Sequence, residues 1–481
     1  MRLGRETTAH VLTQLVVSAS GFVSTFAIAF LLGARGLGVY AIGVAIGYFW
    51  IQIPADAYAA AIAKRISEGD SPGAMLTAGL LVVSAAGLGS AAVILASSAL
   101  VGSVGQLAET AFGRVLFQHG GDIAMMALFA SLYKGVAGGL QGQQLVAMEG
   151  LLDASERTVR AALQVGAMVS GYGVGALFLA HAGSLLLVVI LGLVVSNLQL
   201  ERPRLGHLRR LYTYAQFSWL GTVESRAFGW MDTLVLSFIA PANLIGIYEA
   251  AWGMASLLGV AGGSIQRTLF PEVSRLSVSD ATDRIVHYLD EGLAYSGILV
   301  IPGLVGTVVI GNRLLQFYRP SFEQGAGILV VLVAANGVSI YGSQFLNVLN
   351  AVDRPDLSFA VSLRFIAVNV LLNIGMGFAF GWWGVAAATA ISATLRLALA
   401  HCRIRKQIGP ISVPTVELGW QGLAAMLMGV FVLVGDAVLP VSRVYTVLLV
   451  VTAAALYGLL LVGVSARVRS KTLMVAQSLS G

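Results

Sequence analysis

Long apolar runs alternate along the chain with short polar breaks, and most runs are longer than the core helices of a soluble domain require. A helix that crosses the hydrocarbon core of a bilayer needs about 20 mostly apolar residues. Runs of that kind cover 10–32, 38–62, 74–101, 122–142, 150–170, 173–197, 211–239, 243–268, 287–311, 323–347, 357–379, 383–404, 417–439 and 443–465, which predicts fourteen transmembrane helices. No Asp, Glu, Lys or Arg occurs from Ser71 to Ala108, and none from Ala161 to Leu200. The second stretch is too long for one helix, and GYG at 171–173 marks its turn.

Charge sets the orientation. With the N-terminus inside, the inner segments hold eighteen of the 29 Lys and Arg residues and the outer loops five. Short cytoplasmic loops carry the excess of Lys and Arg, so both termini are expected in the cytoplasm and the protein is expected to be a multi-pass protein of the cell membrane. One missed helix would reverse the second half and erase the bias. The longest outer loop, 102–121, carries only Glu109, Arg114 and His119, which leaves no room for a soluble catalytic domain.

Composition agrees with the pattern. Hydrophobic residues make up 57% of the chain, charged residues 11%, and mean hydropathy is +0.84. A soluble domain carries about 25% charged residues, so lipid has to solvate much of this surface. The net charge of +6 is then a topology signal, and no nucleic-acid partner is expected. One cysteine, Cys402, excludes a disulfide framework and any multi-cysteine metal site. No nucleophile–base pair, metal-ligand cluster or phosphate loop is present, so neither an enzyme nor a metal or other cofactor is expected. The start, Met1 to His10, is basic and runs into an apolar segment without a small-residue cleavage pattern, which argues against a cleaved signal peptide.

The two halves echo each other. LGVYAIG at 37–43 resembles IGIYEAA at 245–251, GLQG at 139–142 lies in the place of VLNA at 348–351, and YGVGA at 172–176 matches WGVAA at 383–387. The near-constant offsets imply an N-terminal six-helix bundle over 1–200, a second over 201–408, and helices 13 and 14 with a short tail over 409–481. Six is even, so the repeat is parallel, with its axis along the membrane normal. Two pseudo-symmetric bundles around a central cavity suit alternating access to a site near the midplane.

The stretches SASGFVSTFAIAFLLGARGLGVYAIGVAI at 18–46, PADAYAAAIAKRISEG at 54–69, QFSWLGTVESRAFGWMDTLVLSFI at 216–239 and IGIYEAAWGMASLLGVAGGSIQRTLFPEVSRL at 245–276 resemble the polysaccharide and O-antigen-type flippases of the MOP exporter superfamily. The resemblance covers essentially the whole chain and includes the 6 + 6 + 2 helix plan. It implies an all-α membrane transporter for a lipid-linked oligosaccharide, with membrane lipids and glycan-assembly enzymes as its surroundings.

Ionisable groups at membrane depth cost at least about 2.5–3.5 kcal/mol each on insertion, so they are functional candidates by default. The cations are Lys134, Arg157, Arg160, Arg226, Arg364 and Arg396, placed by the rise per residue roughly 10–20 Å from the inner end of their helices. An anion entering from the cytoplasm meets them first, and the planar Arg fork suits a pyrophosphate. Gln141, Asn336, Gln344, Asn347, Asn350, Asn369 and Asn373 are candidates for lining a polar cavity for sugars. Simpler readings stand beside these. Asp153 with Arg157 and Glu156 with Arg160 form i,i+4 pairs that can neutralise each other. Arg364 and Arg396 are within snorkelling reach of the inner headgroups, although the repeat sets Arg364 opposite Arg160. Arg226 has Glu224 and Asp232 in its own helix. Asp56, Asp232 and Glu249 are candidate carboxylates for a coupling proton or sodium ion. Asp56, beside the helix-kinking Pro54, is equally suited to an ion pair with a neighbouring helix.

The reading is therefore a flippase that moves a polyprenyl-linked oligosaccharide from the inner to the outer leaflet. A MATE-like cation-coupled antiporter of small amphipathic compounds is the first rival and predicts acids, rather than cations, dominating the cavity. A membrane-embedded glycan polymerase or ligase is the second and predicts a large outer catalytic loop.

Overall fold

The structure, a computed structural model, describes residues 2–48, 53–259, 282–411 and 413–470, and every regular element among them is helical. In chain order these are α1 (Arg2–Tyr48), α2 (Ile53–Ser67), α3 (Pro72–Val101), α4 (Gly105–Glu109), α5 (Ala111–Gly142), α6 (Val146–Val169), α7 (Gly175–Val195), α8 (Leu205–Ile239) and α9 (Ala242–Leu257). After them come α10 (Thr282–Gln316), a 3-10 turn (Pro320–Gly325), α11 (Ala326–Ala351), α12 (Pro355–Ile408), α13 (Thr415–Val438) and α14 (Arg443–Val464). Nine helices among the described residues are long and apolar enough to cross a membrane.

Two glycines divide the longest helices where the apolar pattern predicts a turn. Gly33 (φ 73°) breaks α1 and Gly381 (φ 61°) breaks α12. A side chain at such a φ meets the following carbonyl, and glycine avoids that clash. The limbs of α12 run antiparallel, because Phe365 faces Arg396 while Asn369 faces Ser392.

Two boundaries differ from the apolar runs. The expected outer loop 102–121 is mostly helix, because Thr110 caps α5 by accepting from Gly113 N at 3.0 Å and α5 begins at Ala111. Helix α8 begins at Leu205, ahead of the expected 211. A count of apolar residues sees only the part of a helix matched to hydrocarbon, whereas backbone hydrogen bonding continues into polar turns. Pro54 lies in the first turn of α2, where its missing N–H leaves no helical bond unmade. Residues 49–52 and the second half of the predicted span 243–268 lie outside the described residues.

Two compact units divide at Glu249/Ala250. In the first, α5 packs on α2, α3 and α7, and α6 packs on α1 and α7. Helix α8 belongs to this unit because Leu211 and Ala215 join Ala57, Ala61, Ile62, Ile66, Met75 and Leu76 in one buried cluster. Compactness therefore changes later in the chain than the bundle boundary expected at 200/201. Two segments that the sequence offset of 208 relates touch in the first unit. A Cβ on Gly38 would fall 1.7 Å from Ala242 O, and one on Gly246 would fall 1.9 Å from Ala34 O. Residues 242 and 246 stand 208 positions after 34 and 38, and each of 34 and 38 meets the counterpart of the other, so α1 and α9 cross with their backbones in direct contact. In the second unit, α11 packs on α10 and α12, and the additional helices α13 and α14 cover the other side of α10 through Ala424, Met428, Val432, Leu449 and Ala453.

Candidate functional site

Helix α6 carries Glu149, Asp153, Glu156, Arg157, Arg160 and Gln164 at spacings of three and four, which puts them on one face. That face, with α2, α5 and α7, forms the polar interior of the first unit. Lys134 Nζ on α5 meets Asp56 Oδ1 on α2 at 2.9 Å. Arg157 Nε donates to Asp153 Oδ2 at 3.1 Å. Arg160 Nη1 lies 3.6 Å from Glu156 Oε1 and donates to His181 Nε2 on α7 at 2.7 Å. Gln141 is exposed near the end of α5.

Of the alternatives the sequence left open, these contacts realise the ion pairs: the described cations of this unit, Lys134, Arg157 and Arg160, each have a carboxylate, and Glu149 adds a further acid. Desolvating an ion is costly unless a counter-ion comes with it, and the fold supplies one each time. Asp56 takes the ion-pair role named for it beside the coupling-ion role.

The α8–α9 hairpin brings together the other two candidate carboxylates. Tyr248 Oη donates to Asp232 Oδ2, Thr233 Oγ1 donates to Glu249 Oε1, and the two carboxylates interact electrostatically. Arg226 is on α8, and its side chain lies outside the described residues.

The second unit is built differently. On the first limb of α12, Arg364 is exposed and donates to Ala360 O at 3.3 Å, with no carboxylate partner among the described residues. One level across, Arg396 lays its guanidinium over Phe365 at 5.3 Å from the ring centroid and donates to Ser339 Oγ at 3.3 Å. Deeper between the limbs, Asn369 Nδ2 donates to Ser392 Oγ at 2.9 Å. Asn369 Oδ1 and both polar atoms of the Asn373 side chain are buried without a hydrogen-bond partner. A buried amide without partners is costly, so three such atoms in one place invite a ligand. Gln344 and Asn336 are committed to the fold, donating to Ser296 Oγ at 2.8 Å and Ala255 O at 2.7 Å. Asn347 is half-buried on α11 and Asn350 is exposed near its end.

Sequence reasoning passed over His181, Tyr40, Gln164 and Ser184, which with Arg160 and Glu156 form the most extensive buried polar network of the first unit. Two signals point to them. Gln164 continues the polar stripe of α6, and Tyr40 stands 208 positions before Tyr248, which also grips an ionisable group.

Comparison with known proteins places this fold. The family described as "Lipid II flippase MurJ" matches residues 172–459. The "Probable flippase AglR" of Haloferax volcanii is 30% identical over 448 residues, covering 92% of this chain and 91% of that protein. The "Probable low-salt glycan biosynthesis flippase Agl15" of the same organism is 23% identical over 403 residues, covering 82% of each. A solved structure, "Lipid II flippase MurJ, inward closed conformation", superposes with a TM-score of 0.79 at 14% identity, over 94% of this chain and 97% of that one.

Proposed function

Because the chain belongs to the MurJ family of flippases in the MOP superfamily, we propose that it carries a polyprenyl-linked oligosaccharide from the inner to the outer leaflet, for assembly of a surface polysaccharide or a glycoprotein glycan. It is a multi-span helical membrane protein and a lipid-linked glycan flippase. The finer reading has fourteen crossings with both termini in the cytoplasm, supported by the excess of Lys and Arg in the inner segments. Its site opens alternately to the two faces and moves its substrate without making or breaking a bond.

Arg364 carries the reading of the site. It is a guanidinium at membrane depth that faces no described carboxylate, at the level of Arg396 and Phe365. A guanidinium binds phosphate oxygens bidentately, whereas an ammonium acts as a point charge. Lys134 and Arg157, with side chains 35% and 38% exposed, have the open edge needed to trade a carboxylate for a phosphate. The lipid tail stays in the bilayer while the sugars take the polar interior. A coupling ion has two candidate seats. The unpartnered amide oxygens of Asn369 and Asn373 are hard donors of the kind a sodium ion takes. Asp232 and Glu249, held by hydroxyl donors, suit a proton.

The test is complementation of cells that lack the protein, with lipid-linked oligosaccharides measured by mass spectrometry and their sidedness read with an impermeant glycosidase. Loss of one charge-assisted bidentate contact costs about 1.5–3 kcal/mol, so Arg364→Ala is expected to reduce outward exposure at least about tenfold. Arg364→Lys should restore only part of it. Normal exposure with Arg364→Ala would sink this site.

A further inference from the structure

His181 stands inside α7, 2% exposed, and the groups around it fix its protonation state. A guanidinium has donors only. Arg160 Nη1, 2.7 Å from His181 Nε2, therefore makes Nε2 an acceptor, and the ring is neutral with its proton on Nδ1. Nδ1 then donates to Tyr40 Oη at 3.0 Å. Tyr40 Oη also accepts from Gln164 Nε2 at 2.8 Å, and Gln164 Oε1 accepts from Ser24 Oγ at 2.6 Å. Tyr48 Oη lies 3.2 Å from Nε2. Glu156 Oε1 accepts from Ser184 Oγ at 2.9 Å and lies 3.7 Å from His181 Nε2.

The remaining charged or titratable groups on the elements packed here are few. Asp153 and Arg157, further towards the start of α6, are paired with each other at 3.1 Å. His119 and Asp122 on α5 stand 3.5 Å apart beyond Phe178, whose ring centroid lies 5.5 Å from that of His119.

One carboxylate, Glu156, thus faces two groups that compete to be its cation. While Arg160 is in place, the Nε2 lone pair is occupied and a like charge sits against it, so His181 cannot take a second proton. If Arg160 turns away, Nε2 is freed and Glu156 is left as a buried charge without its counter-ion. A proton on Nε2 restores neutrality with little movement. The Arg160 side chain is 17% exposed, so it has an edge through which to turn.

We propose that His181 is a proton-binding site that fills as Arg160 leaves it for an anionic ligand, so that binding of a lipid-linked pyrophosphate loads one proton into the first unit. The proposal rests on the reading that Arg160 contacts the pyrophosphate. Linkage is reciprocal, so a proton on His181 also releases Arg160 for the anion.

The test uses the purified full-length protein in detergent with farnesyl pyrophosphate as the probe. Binding heats are measured at neutral pH in two buffers of different ionisation enthalpy, which gives protons taken up per probe bound. Wild type should take up about one proton more than His181→Gln, as the linkage requires. Equal proton counts with intact binding overturn the proposal. Glu156→Gln keeps the shape and removes the counter-charge. It should also lower the count if His181→Gln fails to assemble, and an unchanged count overturns the proposal equally. Arg160→Ala separates the proposal from the reading beneath it. Affinity at least tenfold weaker in Arg160→Ala, with no proton difference, removes the proton site alone. Wild-type affinity in Arg160→Ala, or no binding to wild type, removes the reading of Arg160 as a ligand contact and the proton site with it.

Discussion

Arg313, at the end of α10, is 3% exposed. The linear pattern puts it among outer-loop arginines, where solvent would surround it. Instead it reaches into the turn between α13 and α14 and donates to Thr446 Oγ1, Asp436 Oδ1, Leu439 O and Pro440 O at 2.6–3.1 Å. Arg443 returns the contact, donating to Phe317 O and Tyr318 O at 2.9 and 3.2 Å. Removing one partner from a buried charged network costs about 3 kcal/mol, less here because Asp436 is partly exposed. Arg313→Ala should lower the melting temperature of the purified protein by roughly 5 °C, read by tryptophan fluorescence, and an unchanged melting curve would contradict this account. Glu68, between α2 and α3, is held by Arg65, Arg210 and Lys64, and its hydrogen bond to Arg65 keeps its carboxyl below the usual carboxylate range. A lowered folded pKa means that this tie is complete at neutral pH and is lost only as the pH falls through that lowered value. Limited proteolysis of the 68–71 segment should be flat from pH 8 to pH 5 and rise only in stronger acid. Glu68→Gln should show the raised rate at every pH.

At the scale of elements, the crossing of α1 and α9 is the contact least able to adapt. At Gly38 and Gly246 the neighbouring atoms are carbonyl oxygens of the backbone, so no side-chain rotation relieves a clash. Small residues of this kind let helix backbones meet where the bilayer gives no hydrophobic driving force. Overpacking costs typically 1–3 kcal/mol, and at these distances the helices have to part. Gly38→Ala and Gly246→Ala should each reduce the yield of monodisperse protein in size-exclusion chromatography several-fold. Gly21→Ala, with nothing within 4 Å, should behave as wild type. If Gly38→Ala elutes like Gly21→Ala, the crossing is not a fixed contact. Sequence offsets alone bring Gly38 and Gly246 into correspondence through LGVYAIG and IGIYEAA, but correspondence does not imply touching. The two segments meet because the helices that carry them cross at those residues.

At the scale of the whole molecule, the proposed pyrophosphate-linked substrate would be an anion moving outward from a negative interior. Such a charge gains about 2.3 kcal/mol per 100 mV. Flipping in proteoliposomes should therefore speed up when an inside-negative potential is imposed and slow when it is reversed. If Asn369 and Asn373 seat a sodium ion, replacing external sodium with choline should slow flipping in wild type and leave Asn373→Leu unaffected. Equal rates in both salts would exclude that seat. Charges also tie helix ends together within each unit. Arg467 meets Asp290 at 2.6 Å and Glu417 at 3.7 Å, while Arg210 meets Glu68 and Asp70 at 3.4 and 3.3 Å. Arginines read as topology signals thus also act as joints between helices.

The amino-acid sequence by itself determined an all-helical fold, the membrane as solvent and the kind of residue its helices carry. These are set by local quantities, apolar length and the polar breaks between runs, and the gaps at 33–37 and 380–382 hold Gly33 and Gly381, where the helices break. Only the tertiary structure decided which charges stay available. Asp56 and Lys134 are 78 positions apart and give no local sign of pairing, yet they meet at 2.9 Å. Arg160, an i,i+4 partner of Glu156 from sequence, shares that acid with a histidine 21 positions on. Arg364, one of six like candidates in the sequence, has no described acid beside it, whereas Lys134, Arg157 and Arg160 each meet one. Coulomb and hydrogen-bond energies fall off with distance in space, and distance in space is fixed only when helices pack.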